Sequence, residues 1–340
     1  MKKFYLSSLV LLLMTAMVPA EASSADSTAL DSAKRFLGLQ RYNDASVLLD
    51  RILKSDPSNF EALYMQLATR QTRILDYESY MVWGDSFLLY SDSVLSALQN
   101  LLPLQRGKDS VRCLFYVGNV YGGKGVIHAK CERWIQAVRD ALTSINIFRQ
   151  VRILDPSFRA AYLGTGAFKY YLSNDLKWVP GVGNRAQEGL EEIRLATTAE
   201  YPFNIAAKDL LCWILIDRGE YRRADSVAAT VLSQMPDNTI FLRIRAQSAL
   251  KMQRWQATLE AAKHLVDVSR SRTPVNWSDL LMGYRIMMEY YDYHKKGEEV
   301  RALTKQIEAH TVPSEYLRIS HVRAHHRRIA EVERKYAQGL

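Results

Sequence analysis

Prolines close a succession of apolar helical faces along this chain. From residue 25 onward nearly every segment carries apolar residues at spacings of three and four, and the runs end at Gly or at Asp-Pro. Leu48, Leu49, Ile52 and Leu53 precede Asp56-Pro57, while Ile145, Phe148, Val151, Ile153 and Leu154 precede Asp155-Pro156. Val227, Val231 and Leu232 precede Met235-Pro236 in the same way. Such spacing gives a helix one apolar face, and a proline, lacking its N–H, cannot continue it. No run of alternating strand pattern intervenes, so the chain beyond its first two dozen residues reads as all-α. The intervals also recur. Pro202 and Pro236 stand 34 residues apart, as do Tyr221 and Trp255, and Pro156 to Pro202 is 46 with an insert at 173–185. Pro57 to Pro156 is 99, roughly three intervals, which implies lengthened or degenerate helices between them.

Particular residues sharpen the interval. Ala160, Leu163-Gly164 and Ala167-Phe168 follow Asp155-Pro156, Gly219-Glu220-Tyr221-Arg222-Arg223-Ala224 precedes Pro236, and Arg41-Tyr42-Asn43-Asp44-Ala45 precedes Asp56-Pro57. In this the chain resembles the tetratricopeptide repeat family, whose units pair two helices through small and aromatic residues and end at Pro. Around Trp255 the match weakens, with Thr258 for the usual Ala and Arg270 for the terminal Pro, and residues 60–134 fit poorly. The resemblance implies an α-solenoid of stacked antiparallel helix hairpins, a single domain over 23–340, with lengthened or irregular helices near 60–134. Its clearest repeats are 26–59, 157–202, 203–236 and 237–270, and 314–340 is a capping helix. It further implies a concave groove that docks a protein or peptide. On the family pattern Thr165 and Lys169, then Asp209, Trp213 and Asp217, then Arg243 and Gln247 face that groove. The Lys/Asn combination with which some members clamp a terminal carboxylate is absent, so chaperone-tail docking is not expected.

The first residues point to export. Lys2 and Lys3 precede a near-apolar run at Leu9–Val18, then Pro19 and Ala20-Glu21-Ala22, the layout of a secretory signal peptide cleaved after Ala22. Phe4 to Ala20 is only 17 residues and is interrupted by Ser7, Ser8 and Thr15, short for a bilayer span of about 20. No Cys follows the run, which argues against a lipoprotein anchor. A periplasmic or secreted location is the expectation. There the 3 cysteines matter. Cys113 and Cys131 flank a Gly-rich segment and are a candidate disulfide; buried free thiols are the equal alternative, and Cys212 reads as a buried apolar residue.

Charge and motifs exclude more than they assign. The net charge of +9 over 340 residues is too modest to argue for nucleic acid. Gly118–Gly125 approaches the phosphate-binding loop, but Gly125 stands where Ser or Thr should meet magnesium, so no nucleotide is expected and close helix contact is the better reading. His128, Cys131 and Glu132 share a helical face, as do His321 and His325, without the ligand number of a structural zinc site. No metal or other cofactor is expected. Hydrolase signatures are missing, so the chain is expected not to be an enzyme. The primary reading is a protein-binding scaffold of the bacterial cell envelope, its partner another envelope protein or a peptide segment. The alternative is an envelope receptor for a glycan or lipid. It would act through the loop around Trp178 or the basic C-terminal helix, where Arg318, Arg323, Arg327, Arg328, Arg334 and Lys335 could meet a membrane surface.

Overall fold

The apolar spacings become helices in a computed structural model that describes residues 24–175 and 184–337. The expected leader at 1–22, the loop contact Trp178 and the last three residues lie outside the described residues. Among those described there are sixteen α-helices and no strand. They form seven antiparallel hairpins. The first two are α1 (Ser24–Gly38) with α2 (Tyr42–Ser55) and α3 (Phe60–Asp76) with α4 (Tyr80–Leu101). Next come α5 (Gly107–Lys130) with α6 (Trp134–Leu154) and α7 (Ala161–Asp175) with α8 (Ala186–Ala196). Then follow α9 (Phe203–Asp217) with α10 (Tyr221–Leu232), α11 (Thr239–Lys251) with α12 (Trp255–Ser271), and α13 (Trp277–Tyr293) with α14 (Gly297–Glu308). A one-turn α15 (Ser314–Leu317) leads to α16 (Ser320–Ala337), which lays Val322, Ile329 and Val332 inward along α13 and α14. The architecture is the all-α solenoid of tetratricopeptide type.

Six hairpins turn by one device. A residue with positive φ follows the first helix: Gln40 (58°), Glu78 (51°), Glu132 (61°), Gly219 (74°), Gln253 (55°) and Lys295 (53°). The next amide reaches back five residues, as in Arg41 N to Phe36 O at 2.8 Å, Glu220 N to Leu215 O at 2.8 Å and Lys296 N to Tyr291 O at 2.9 Å. This left-handed cap satisfies carbonyls that a helix end leaves open. Between hairpins, Asp-Pro-Ser recurs as a second device. Asp56 Oδ1 accepts from Ser58 N at 3.0 Å, and Asp155 Oδ1 from Ser157 N at 2.9 Å.

The span from Pro57 to Pro156 holds two hairpins where the interval suggested roughly three. Its helices α4, α5 and α6 run to 22, 24 and 21 residues. The Gly-rich segment is the middle of α5, and its glycines are places where other helices press in. A Cβ on Gly118 would lie 2.9 Å from the Phe148 ring, one on Gly122 would lie 3.1 Å from Ser144 Oγ, and one on Gly125 would lie 3.2 Å from Ala137 O. Ser144 Oγ completes the contact by donating to Gly118 O at 2.8 Å. The close-contact reading of 118–125 therefore describes its place in the fold.

The array also curls onto itself. Asn238 Nδ2 donates to Gly38 O at 2.9 Å, Thr239 N to Gln40 Oε1 at 2.8 Å, and Asn276 Nδ2 to Asp76 O at 3.1 Å. Arg272 Nη1 donates to Asp76 Oδ2 at 2.7 Å and also binds Gln40, while Tyr42 OH holds the same Asp76 oxygen at 2.8 Å. The first two hairpins are thus joined to the sixth and seventh across about 200 residues of sequence. One apolar core accordingly runs from buried residues of α1–α6 into those of α11–α16.

Candidate functional site

The expected groove residues fall into separate settings. On α7, Thr165 is buried, and its hydroxyl accepts from Arg152 at 2.9 Å and donates to Glu192 at 2.8 Å. Glu192 also receives Arg152 Nη1 and Lys169 Nζ, both at 2.7 Å. Lys169 continues to Glu188, which in turn receives Arg185 Nε at 2.7 Å. Hydrogen bonds from Arg185 and Lys169 hold the Glu188 carboxyl down at about 2. Charges alternate from α6 through α7 to α8. Thr165 and Lys169 therefore join neighbouring helices, because a buried hydroxyl and a half-buried ammonium need partners within the fold.

Arg243 is likewise committed. Its Nε lies 3.2 Å from Asp279 Oδ1, a fully buried carboxylate at the start of α13. Burial alone would push the guanidinium down, but Asp279, Asp76 and Asp209 outweigh it and raise its pKa. Asp209, on α9, meets the same cluster; burial pushes its carboxyl up to about 6, against the pull of Arg243 and a hydrogen bond from Trp213. Asp209 Oδ1 has no hydrogen-bond partner. Arg243 and Asp209 thus belong to one partly buried polar cluster near the contacts that close the array. The curl brings the turns after α1 and α3 against the starts of α11 and α13, close to this cluster. Trp213 and Gln247 are half-buried, and Asp217 is exposed at the end of α9. The structure brings Asp209 and Arg243 together and leaves Thr165 and Lys169 in a network apart from them.

The disulfide expectation is corrected. Cys113 and Cys131 lie near the two ends of α5, and both thiols are free. Eighteen residues of helix separate their Cα atoms by about 27 Å, whereas a bridge needs less than about 7 Å. Each thiol instead points to a carbonyl, Cys113 to Leu98 O and Cys131 to Tyr80 O, both at 3.7 Å. Among the described residues no group of three or more His, Cys, Asp or Glu is arranged to hold a metal ion.

A further feature is a set of exposed apolar residues on α4 and α6. Met81, Val82 and Trp83 open α4 and are exposed, as are Trp134, Ile135, Val138 and Leu142 on α6. Ile135, Val138 and Leu142 form one helical stripe, and Ile135 is 85% exposed. The two sets adjoin: Arg133 Nη1 pairs with Asp85 Oδ1 at 2.7 Å, and a Cβ on Gly84 would lie 3.2 Å from Cys131 Sγ. Scattered exposed apolar residues are ordinary, whereas exposed apolar residues grouped at the starts of two adjoining helices, with two tryptophans, form a candidate contact surface. Sequence reasoning missed it because the α4 part lies in residues 60–134, which did not fit the repeat pattern, and because α6 was read only for its inward face at Ile145, Phe148 and Val151. The readable signal was that α6 carries a second apolar stripe besides its inward Phe148 and Val151.

No protein-family model matches the sequence, and no curated protein matches it. Solved structures do match in fold. The Cut9–Hcn1 hetero-tetramer of the APC/C aligns over 94% of this chain and 53% of that chain, with 14% identity and a TM-score of 0.50. A thermophilic TPR protein of Thermus thermophilus aligns over 67% of this chain and 99% of that one, with 17% identity and a TM-score of 0.43. The type IV pilus biogenesis factor PilW aligns over 85% and 94%, with 14% identity and a TM-score of 0.39. At these identities the likeness concerns the helical-repeat fold alone.

Proposed function

With a solenoid of tetratricopeptide type as its fold, we propose that this chain is a non-enzymatic scaffold that holds another protein in the cell envelope. The observation that carries the reading is the exposed stripe on α4 and α6. A helix that exposes Trp134, Ile135, Val138 and Leu142 while burying Phe148 and Val151 on another face has more apolar surface than its own fold covers. The partner docks there, on the outside of the array, and not in the closed interior. The similar Cut9–Hcn1 structure is itself an assembly of different chains, which fits this role. The leader-like residues 1–22 support the envelope location, and the missing hydrolase motifs support a binding role without catalysis.

The test is capture of partners from a native envelope fraction by the full chain and by Ile135→Glu with Val138→Glu. Both positions are exposed, so the folded state should survive, with helix content by circular dichroism as the check. Loss of a protein recovered by the unaltered chain is the expected result. Undiminished recovery would remove the α6 face from the proposal. Loss on changing Trp213 and Asp217 to Ala, with the α6 variant unaffected, would return docking to the inner side. A second reading, contact with an anionic membrane surface, rests on α16, which turns Arg323, Arg327 and Arg334 to solvent.

A further inference from the structure

A cavity of about 260 Å³ opens between α6, α7 and the start of α8, and its charge is one-sided. Four cations line it: Arg149 and Arg152 from α6, Lys169 from α7, and Arg185 just ahead of α8. Among the described residues no carboxylate is part of its lining. Glu188 and Glu192 pair with three of the four from α8. Four positive charges against two negative ones leave two uncompensated at the cavity.

Donors also remain in excess. Arg152 directs Nη1 to Thr165 and Glu192, and among the described residues its other N–H groups meet no acceptor. Arg149 is exposed, and among the described residues it donates only to Asn146 on its own helix, at 3.3 Å. Arg152 is also held in place by stacking on the Tyr162 ring at 4.0 Å, so one guanidinium is oriented before any ligand arrives. Guanidinium forks match the oxygens of a tetrahedral oxyanion in both geometry and charge. The remaining wall is made by Ile145, Phe168 and Thr165, the first two apolar.

From this geometry we infer that the α6–α7–α8 cavity binds a phosphate monoester, its dianionic group between Arg149, Arg152 and Lys169 and its organic body against Phe168 and Ile145. The two uncompensated positive charges equal the charge of the ester near neutral pH. The inference is independent of the docking face on α4 and α6, and neither needs the other.

The test is calorimetric titration of the full chain, in chloride buffer, with inorganic phosphate, phenyl phosphate and succinate. Expected is saturable binding of one phenyl phosphate per chain, tighter than inorganic phosphate because the ring gains the apolar wall. Arg149→Ser should weaken it about tenfold or more, the loss expected for one charge-assisted contact, and Arg149→Lys should restore part of it. Lys54→Ser, at an exposed cation far from the cavity, should change nothing. Absence of saturable phosphate binding would overturn the inference, as would equal weakening by Lys54→Ser or succinate binding as tightly as phenyl phosphate. Sedimentation with phosphatidic acid vesicles distinguishes the source of the ester. Arg149-dependent pelleting assigns a lipid headgroup, and its absence alongside phenyl phosphate binding assigns a soluble ester; both uphold the site.

Discussion

Lys295 sits at φ 53° in the last hairpin turn, fully in the region where a Cβ crowds the following carbonyl. For a residue other than Gly this costs about 1–2 kcal/mol, partly offset because Gly loses more freedom on folding. Lys295 is exposed, so Lys295→Gly should stabilise the chain by a few tenths to about 1 kcal/mol, read as a rise in thermal midpoint. Asp209 gives the opposite kind of test. Its native pKa of about 6 lies above the unfolded value, so the protonated native form is favoured at low pH. The stability it contributes is fully present below about pH 4 and is lost as pH rises through 6. Asp209→Asn should flatten that part of the stability–pH curve and leave the neutral-pH protein more stable by on the order of 1–3 kcal/mol. A variant that tracks the parent curve between pH 4 and 6 would refute the assignment. Single residues were unevenly legible. Gly219 announced its turn, whereas Gln40, Glu78, Glu132, Gln253 and Lys295 carry no sign of a left-handed backbone. Arg243 and Thr165 looked available because helical spacing gives a face but not what lies opposite it.

Helix pairs are fixed here by where backbone meets backbone. A Cβ on Gly189 would lie 2.6 Å from Gly166 O and 2.6 Å from Tyr170 N, and one on Gly166 would lie 2.7 Å from Gly189 O. Neither backbone can yield without parting α7 from α8, so Gly189→Ala should cost about 2–3 kcal/mol in chemical denaturation. Gly107 is the contrast: nothing lies within 4 Å of its Cβ position and only its φ of 56° opposes a side chain. Gly107→Ala should therefore cost about 1 kcal/mol, roughly the backbone term alone. Along α5 the same logic keeps Cys113 and Cys131 apart, and non-reducing mass spectrometry should show both as free thiols. Pairing of helices, and the tight glycine face of α5, were readable from periodicity and small residues. The number of hairpins between Pro57 and Pro156 was not, because long helices of 21 to 24 residues leave the proline count unchanged while altering what it measures.

At the scale of the molecule, Asp76 and Arg272 hold the two ends of the array. Their side chains are almost completely buried, at 0% and 12% exposure, and removing one partner leaves an uncompensated charge worth about 3–5 kcal/mol. Arg272→Ala should therefore release the first two hairpins from the last two. The expected signature is a larger radius of gyration by small-angle X-ray scattering with helix content retained. An unchanged radius would mean that the apolar core shared by the ends suffices to hold them. Nothing in the sequence foretold this closure, since contacts between positions 200 residues apart leave no periodic mark. A solenoid with free ends can gain or lose a unit and remain a shorter or longer version of itself. One whose first and last units are bolted together has lost that freedom: dropping or duplicating a hairpin would misalign Gln40 and Asp76 with Thr239 and Arg272. This chain must count its repeats.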